Sequence, residues 1–108
     1  MAMAPASVML RQVAGNIASN GNPASKVGEF TSKRVGTGHY QIKLQNPFTE
    51  IISVVGAVYV PGTTGNVLCG VVIENFSEDS IDLFTVDGNG RNTDQAFTFI
   101  ALGHQREQ

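Results

Sequence analysis

The sequence predicts an all-β fold, a single jelly-roll-like β-sandwich of about seven short antiparallel strands. Three observations carry that reading. Ile51 to Val60, Val67 to Ile73 and Ala96 to Leu102 are strand-length runs rich in β-branched and aromatic residues. His39 to Gln45 alternates with a period of two, setting Tyr40, Ile42 and Leu44 on one face against His39, Gln41, Lys43 and Gln45 on the other. Clusters of Gly, Asn, Asp and Pro separate the runs at close spacing.

Taken in order, residues 1–7 are a small, Ala-rich arm, residues 8–103 the sandwich and residues 104–108 a polar tail. Val8 to Ala18 fits a first strand with a bend better than a helix, because Gly15 and Asn16 interrupt its apolar residues. Ser19 to Ser25 is a turn in which Pro23 is expected to end pairing. Val27 to Val35 reads as one short strand, followed by the tight turn Gly36-Thr37-Gly38 and the alternating strand from His39. Asn46-Pro47 ends that strand, and Phe48 is expected to pack back over the sandwich edge. Pro61 to Asn66 is a hairpin-type loop. Ser80 to Val86 begins with Ile81 and Leu83 inward, then changes phase at Phe84 and Val86, which a bulge or two-sided burial would explain. Asp87 to Asp94 is a second polar turn before the last strand.

A strand apolar at both odd and even positions must be covered on both faces. A chain of 108 residues builds one core and little more, so the second cover is most economically another copy of the chain. Val54, Val58, Val71 and Phe99, or their neighbours of opposite parity, are the expected interface residues.

Composition narrows the function classes. With a net charge of -2 there is no broad attraction for nucleic acid or an anionic membrane. No apolar run is long enough for a transmembrane helix, and no secretory signal is evident. A single cysteine, Cys69, forms no intrachain disulfide and reads as a small buried hydrophobe. No nucleophile with a base, carboxylate pair or phosphate loop suggests an enzyme, and no cofactor or metal is expected. Asp87-Gly88-Asn89-Gly90-Arg91-Asn92-Thr93-Asp94 offers oxygens at alternate positions, yet Arg91 stands where a calcium ligand is wanted and no closing Glu follows. It reads as a hairpin turn. His39 and His104 have no ligand-spaced neighbours and read as exposed polar residues.

Gly15-Asn16-Ile17, Asn20-Gly21, Gly28-Glu29-Phe30-Thr31, Arg34 to Ile42, Asn46-Pro47-Phe48 and Asp94 to Ala101 together resemble a trimeric β domain at the distal ends of bacteriophage tail fibres and of bacterial collagen-like surface proteins. Phe30 to Leu44 and Phe97-Thr98-Phe99 are more loosely similar to the complement globular-head and tumour-necrosis-factor jelly rolls. The resemblance implies a homotrimer around an apolar seam and a place on a virion surface, as the head of a tail fibre or a capsid decoration protein. Capsid or shaft proteins, or a host surface glycan, would be the partners. A small lectin-like module is the other reading. Because the strand faces are consumed by core and seam, Thr63, Thr64 and Asn66 in one loop and Asp87, Asn89, Arg91 and Asn92 in the other are the expected binding residues. Lys26, Lys33, Arg34 and Lys43 form a basic group near the Gly36 turn that could touch phosphate or an anionic glycan, though such residues are more often a solvated face.

Overall fold

The alternation of His39–Leu44 becomes a strand whose Tyr40, Ile42 and Leu44 are buried, while His39, Gln41 and Lys43 face outward. The structure, a computed structural model, describes residues 8–58 and 70–106. These form β1 (Val8–Ile17), β2 (Pro23–Val27), β3 (Phe30–Gly36), β4 (His39–Leu44), β5 (Glu50–Val58), β6 (Gly70–Phe76), β7 (Ser80–Val86) and β8 (Phe97–Arg106), and none of the described residues is helical. The strands make two antiparallel sheets of four, ordered β2-β1-β8-β5 and β3-β4-β7-β6, which is a β-sandwich. Hairpins join β1 to β2, β3 to β4 and β6 to β7 within a sheet, and every other connection crosses to the opposite sheet.

The inner faces meet in one core of Val13, Ile17, Phe30, Tyr40, Ile42, Leu44, Phe48, Ile81, Leu83, Phe97, Phe99 and Ala101. Phe30 meets Phe99 edge-on at 5.2 Å between ring centroids, and Tyr40 packs on Phe97 at 5.0 Å, so both aromatic pairs tie one sheet to the other. The Tyr40 hydroxyl donates to the Ser19 carbonyl at 2.6 Å, satisfying its polar end. Phe48 is buried at the sandwich edge, and the Arg11 guanidinium lies 4.7 Å from its ring centre.

Four departures from the sequence reading have physical causes. There are eight strands because Pro23–Val27, most of it expected as turn, pairs with β1 as β2, and Gly28, at φ +84°, with Glu29 separates it from β3 in the other sheet. Pro23 opens β2 instead of ending pairing, since the first residue of an edge strand can do without an N–H. β7 keeps strict alternation with Ile81, Leu83 and Thr85 buried, so no bulge occurs at Phe84. Buried Thr85 donates its hydroxyl to the Thr93 carbonyl at 2.5 Å, and outward Phe84 stacks on His39 with centroids 4.3 Å apart. Finally, β8 continues through Arg106, so the predicted 104–108 tail begins inside a strand.

All four edge strands are irregular. The pairing register skips one residue in each, at Ala24, Val35, Ile52 and Glu74, whereas β4–β7 and β1–β8 pair without a break. In β2 the edge is further blunted by Pro23 and by Lys26, whose ammonium donates to the Phe30 carbonyl at 3.0 Å and lies 5.3 Å from the Phe30 ring centre. Bulges, proline and inward-pointing charge discourage edge-to-edge pairing with another sheet.

Candidate functional site

The register defines what each outer face carries. Across the β2-β1-β8-β5 sheet, Val27, Ala14, Ile100 and Val55 are aligned in one row spanning all four strands. Val27 is 61% exposed, Val55 57% and Ile100 43%. Leu10 and the bulge residue Ile52 are also exposed, and half-buried Leu102 lies one outward position beyond Ile100 on β8. Two hollows of about 320 Å³ and 290 Å³ flank Ile100, one lined by Ala14, Asn16 and Val27, the other by Val55, Gly56 and Ala57. At one end of the face Glu50 and His104 are register partners, with Glu50 Oε1 3.5 Å from His104 Nδ1.

The four valine and phenylalanine positions expected at an interface lie on the other side of their strands. Phe99 is buried in the core, Val54 and Val71 pack against that core, and Val58 is the register partner of buried Phe97. Their neighbours of opposite parity, Val55, Val72 and Ile100, are the ones exposed. Apolar character at alternate positions did not distinguish the faces; the partner sheet does.

The expected binding loops divide in the same way. Thr63, Thr64 and Asn66 lie outside the described residues, as does Cys69. In the second loop the acidic oxygens are already occupied. Asp87 Oδ1 accepts the Asn89 and Arg91 backbone N–H groups at 2.9 and 3.0 Å, which hold its carboxyl below the usual aspartate range, Arg91 contributing most. Asp94 Oδ2 accepts from Arg34 Nε at 2.8 Å and Oδ1 from the Gly38 N–H at 2.7 Å, lowering that carboxyl as well. The loop is thereby stapled to the β3–β4 hairpin. Gly38 is required there: its φ is +61°, and an added Cβ would meet Thr93 N at 2.6 Å and Thr85 O at 2.7 Å. Asn89, Arg91 and Asn92 remain exposed, and among the described residues no group of three His, Cys, Asp or Glu is placed to hold a metal ion.

The outer face of β3-β4-β7-β6 is polar. Lys33, Gln41, Asp82 and Asn75 form one register row, Thr31, Lys43 and Ser80 another, and Gly36, His39, Phe84 and Val72 a third. Of the predicted basic group, Arg34 is taken by Asp94, and Lys26 turns inward to Phe30 with Glu29 3.8 Å away. Lys33 and Lys43 are left facing solvent, Lys43 with Asp79 at 3.7 Å. His39 Nε2 is buried without a hydrogen-bond partner among the described residues, 3.9 Å from Asp82 Oδ1. Sequence reasoning grouped four cations; the ion pairs of the folded chain engage Arg34, Lys26 and, at the exposed surface, Lys43, and leave Lys33 without a carboxylate among the described residues.

No family model, curated protein or solved structure matches this chain.

Proposed function

We propose that the chain is a non-enzymatic structural and adhesive protein of a virion surface, a tail-fibre head or capsid decoration protein, assembled as a homotrimer through the outer face of its β2-β1-β8-β5 sheet. The observation that supports this most is the register row Val27–Ala14–Ile100–Val55, an apolar belt on a face that nothing in the described chain covers. Strands of 10, 5, 9 and 10 residues, at about 3.4 Å per residue and about 4.8 Å between strands, give a face of roughly 550 Å². In a ring each half of that face meets a different neighbour, so the seam has to draw on flanking surface to reach the roughly 800 Å² per partner of a standard stable interface. Bulged edges disfavour growth by strand addition, leaving the face as the surface for association.

The position of Ile100 favours a ring. It stands between two hollows, so the Val27 half of one face can meet the Val55 half of the next, a heterologous contact that closes on itself. At a three-fold axis the three Ile100 side chains would meet. The virion location rests on the resemblance to fibre-tip domains.

Two measurements test the reading. Ile100→Asp places an unpaired charge at the axis in every subunit, so light scattering should report monomers where the parent gives trimers; a variant of parental mass refutes the seam. Antibody against the folded chain should decorate purified particles, and particles free of label and free of the chain by mass spectrometry refute the virion assignment.

A further inference from the structure

We propose that the outer face of the β3-β4-β7-β6 sheet binds an acidic oligosaccharide along β3 and β4, with its anionic group between Lys33 and Lys43. This site uses the sheet opposite the apolar face and does not depend on self-association.

A hollow of about 350 Å³ lies on this face, lined by Thr31, Ser32, Lys33, Gln41 and Lys43. Its lining holds two cations, two hydroxyls and an amide, and no carboxylate. Lys33 pairs with Gln41, and Lys43 sits one outward position further along β4, which makes the lysines diagonal cross-strand neighbours. Such neighbours stand about 7–8 Å apart at their bases, close enough for two long side chains to converge on one carboxylate or sulfate. The carboxylates of the face lie to the β7 side: Asp82 accepts from Gln41 Nε2 at 3.4 Å, and Asp79 Oδ2 pairs with Lys43 Nζ at 3.7 Å, an exposed and weak ion pair that an anionic ligand has to displace. The face is therefore polarised, positive over β3–β4 and negative toward β7, in a chain whose net charge is -2.

The rest of the face suits a sugar chain more than a lone anion. One outward position beyond Gln41 stands His39, which presents one ring face to Phe84 and has Gly36 as its partner on the other side. Gly36 sets no side chain against His39, whose side chain is 31% exposed and so offers part of its ring to a pyranose. Thr31, Gln41 and Asp82 supply the donors and acceptors that sugar hydroxyls need. Arg34 and Asp94 are consumed by the loop staple and Asp87 by the backbone of its own loop, so these three charges are engaged by the fold.

Calorimetric titration of the full chain tests this with a heparin-derived tetrasaccharide, tetragalacturonate and neutral cellotetraose. The parent should bind at least one of the two acidic ligands, the sulfated and carboxylated arms telling which anion is preferred, and should bind cellotetraose at least about tenfold more weakly. Lys33→Gln/Lys43→Gln should lose about tenfold or more in affinity, the scale of two lost charge-assisted hydrogen bonds, while Lys33→Arg/Lys43→Arg retains binding. Both positions are exposed, so melting temperature and sedimenting mass should match the parent's in both variants. No binding of either acidic ligand, parental affinity in the glutamine variant, or equal affinity for cellotetraose would overturn the proposal. A monomeric protein that binds would leave it standing and remove the trimer instead.

Discussion

Substituting two adjacent residues of β8 should have opposite consequences. Phe99 is 1% exposed and meets Phe30 edge-on, whereas Ile100 is 43% exposed on the outer face. Phe99→Ala removes a ring from the space between the sheets and should cost about 3–5 kcal/mol through lost transfer energy and the cavity left behind. Ile100→Thr keeps the β-branch, and only about half of the side chain's roughly 1.5–3 kcal/mol of burial lies within one chain, so its cost there is about 1 kcal/mol. For a domain of this size 1 kcal/mol moves the melting temperature by roughly 4–8 °C. Circular-dichroism melts at low protein concentration, where mass action contributes least, should show Phe99→Ala lower by about 15 °C or more and Ile100→Thr by a few degrees. Sedimentation should show the reverse order of effect, with assembly weakened by Ile100→Thr. If Phe99→Ala melts no lower than Ile100→Thr, the assignment of inner and outer faces is wrong.

Gly38→Ala forces a side chain into a left-handed backbone position and against the Thr93 and Thr85 backbone, so urea midpoints should report a loss of about 2 kcal/mol or more. Thr85→Val is close to isosteric but leaves the Thr93 carbonyl without its hydroxyl donor; the expected loss is about 1–2 kcal/mol, and Thr85→Ser should recover part of it. Asp87 and Asp94 titrate below their ordinary range in the fold. Their contribution is complete above the unfolded aspartate value near about 4 and is lost as pH falls through the lower folded values. Stability should therefore decline with acid below about pH 4, and Asp94→Asn should flatten that decline; an unchanged acid slope in the variant would show that the Arg34–Asp94–Gly38 staple does not couple to folding.

The parts of the fold written in local pattern were legible. β4 states its inner face outright, because Tyr40, Ile42 and Leu44 alternate with polar residues. Phe84 misled because a phenylalanine beside a threonine reads as inside and the threonine as outside; a hydroxyl bond to Thr93 and a stack on His39 reverse them. The split of β2 from β3 hangs on two residues, Gly28 and Glu29, whose turn carries the chain to the other sheet. For β5 and β8, apolar on both faces, sequence could announce that both sides need cover but not which side faces the second sheet. That parity comes from register with β1, where Val13 and Ile17 are buried. The candidate site was legible only as a group of three lysines and one arginine. Which of them the fold consumes depends on Asp94 and on the Phe30 carbonyl, the first of them 60 residues from Arg34 along the chain.

Assembly through the outer β2-β1-β8-β5 face is the claim on which the functional reading depends, and sedimentation equilibrium of the parent chain beside Val55→Asp addresses it most directly. Val55 is more than half exposed in the single chain, so the aspartate costs the isolated fold little while placing a charge in the proposed seam. At micromolar concentration the parent should sediment at three times the mass of the 11.5 kDa chain, and Val55→Asp at the mass of one chain, with unchanged circular dichroism. A parent that stays at the mass of one chain across that range, or a variant that remains a trimer, would contradict it.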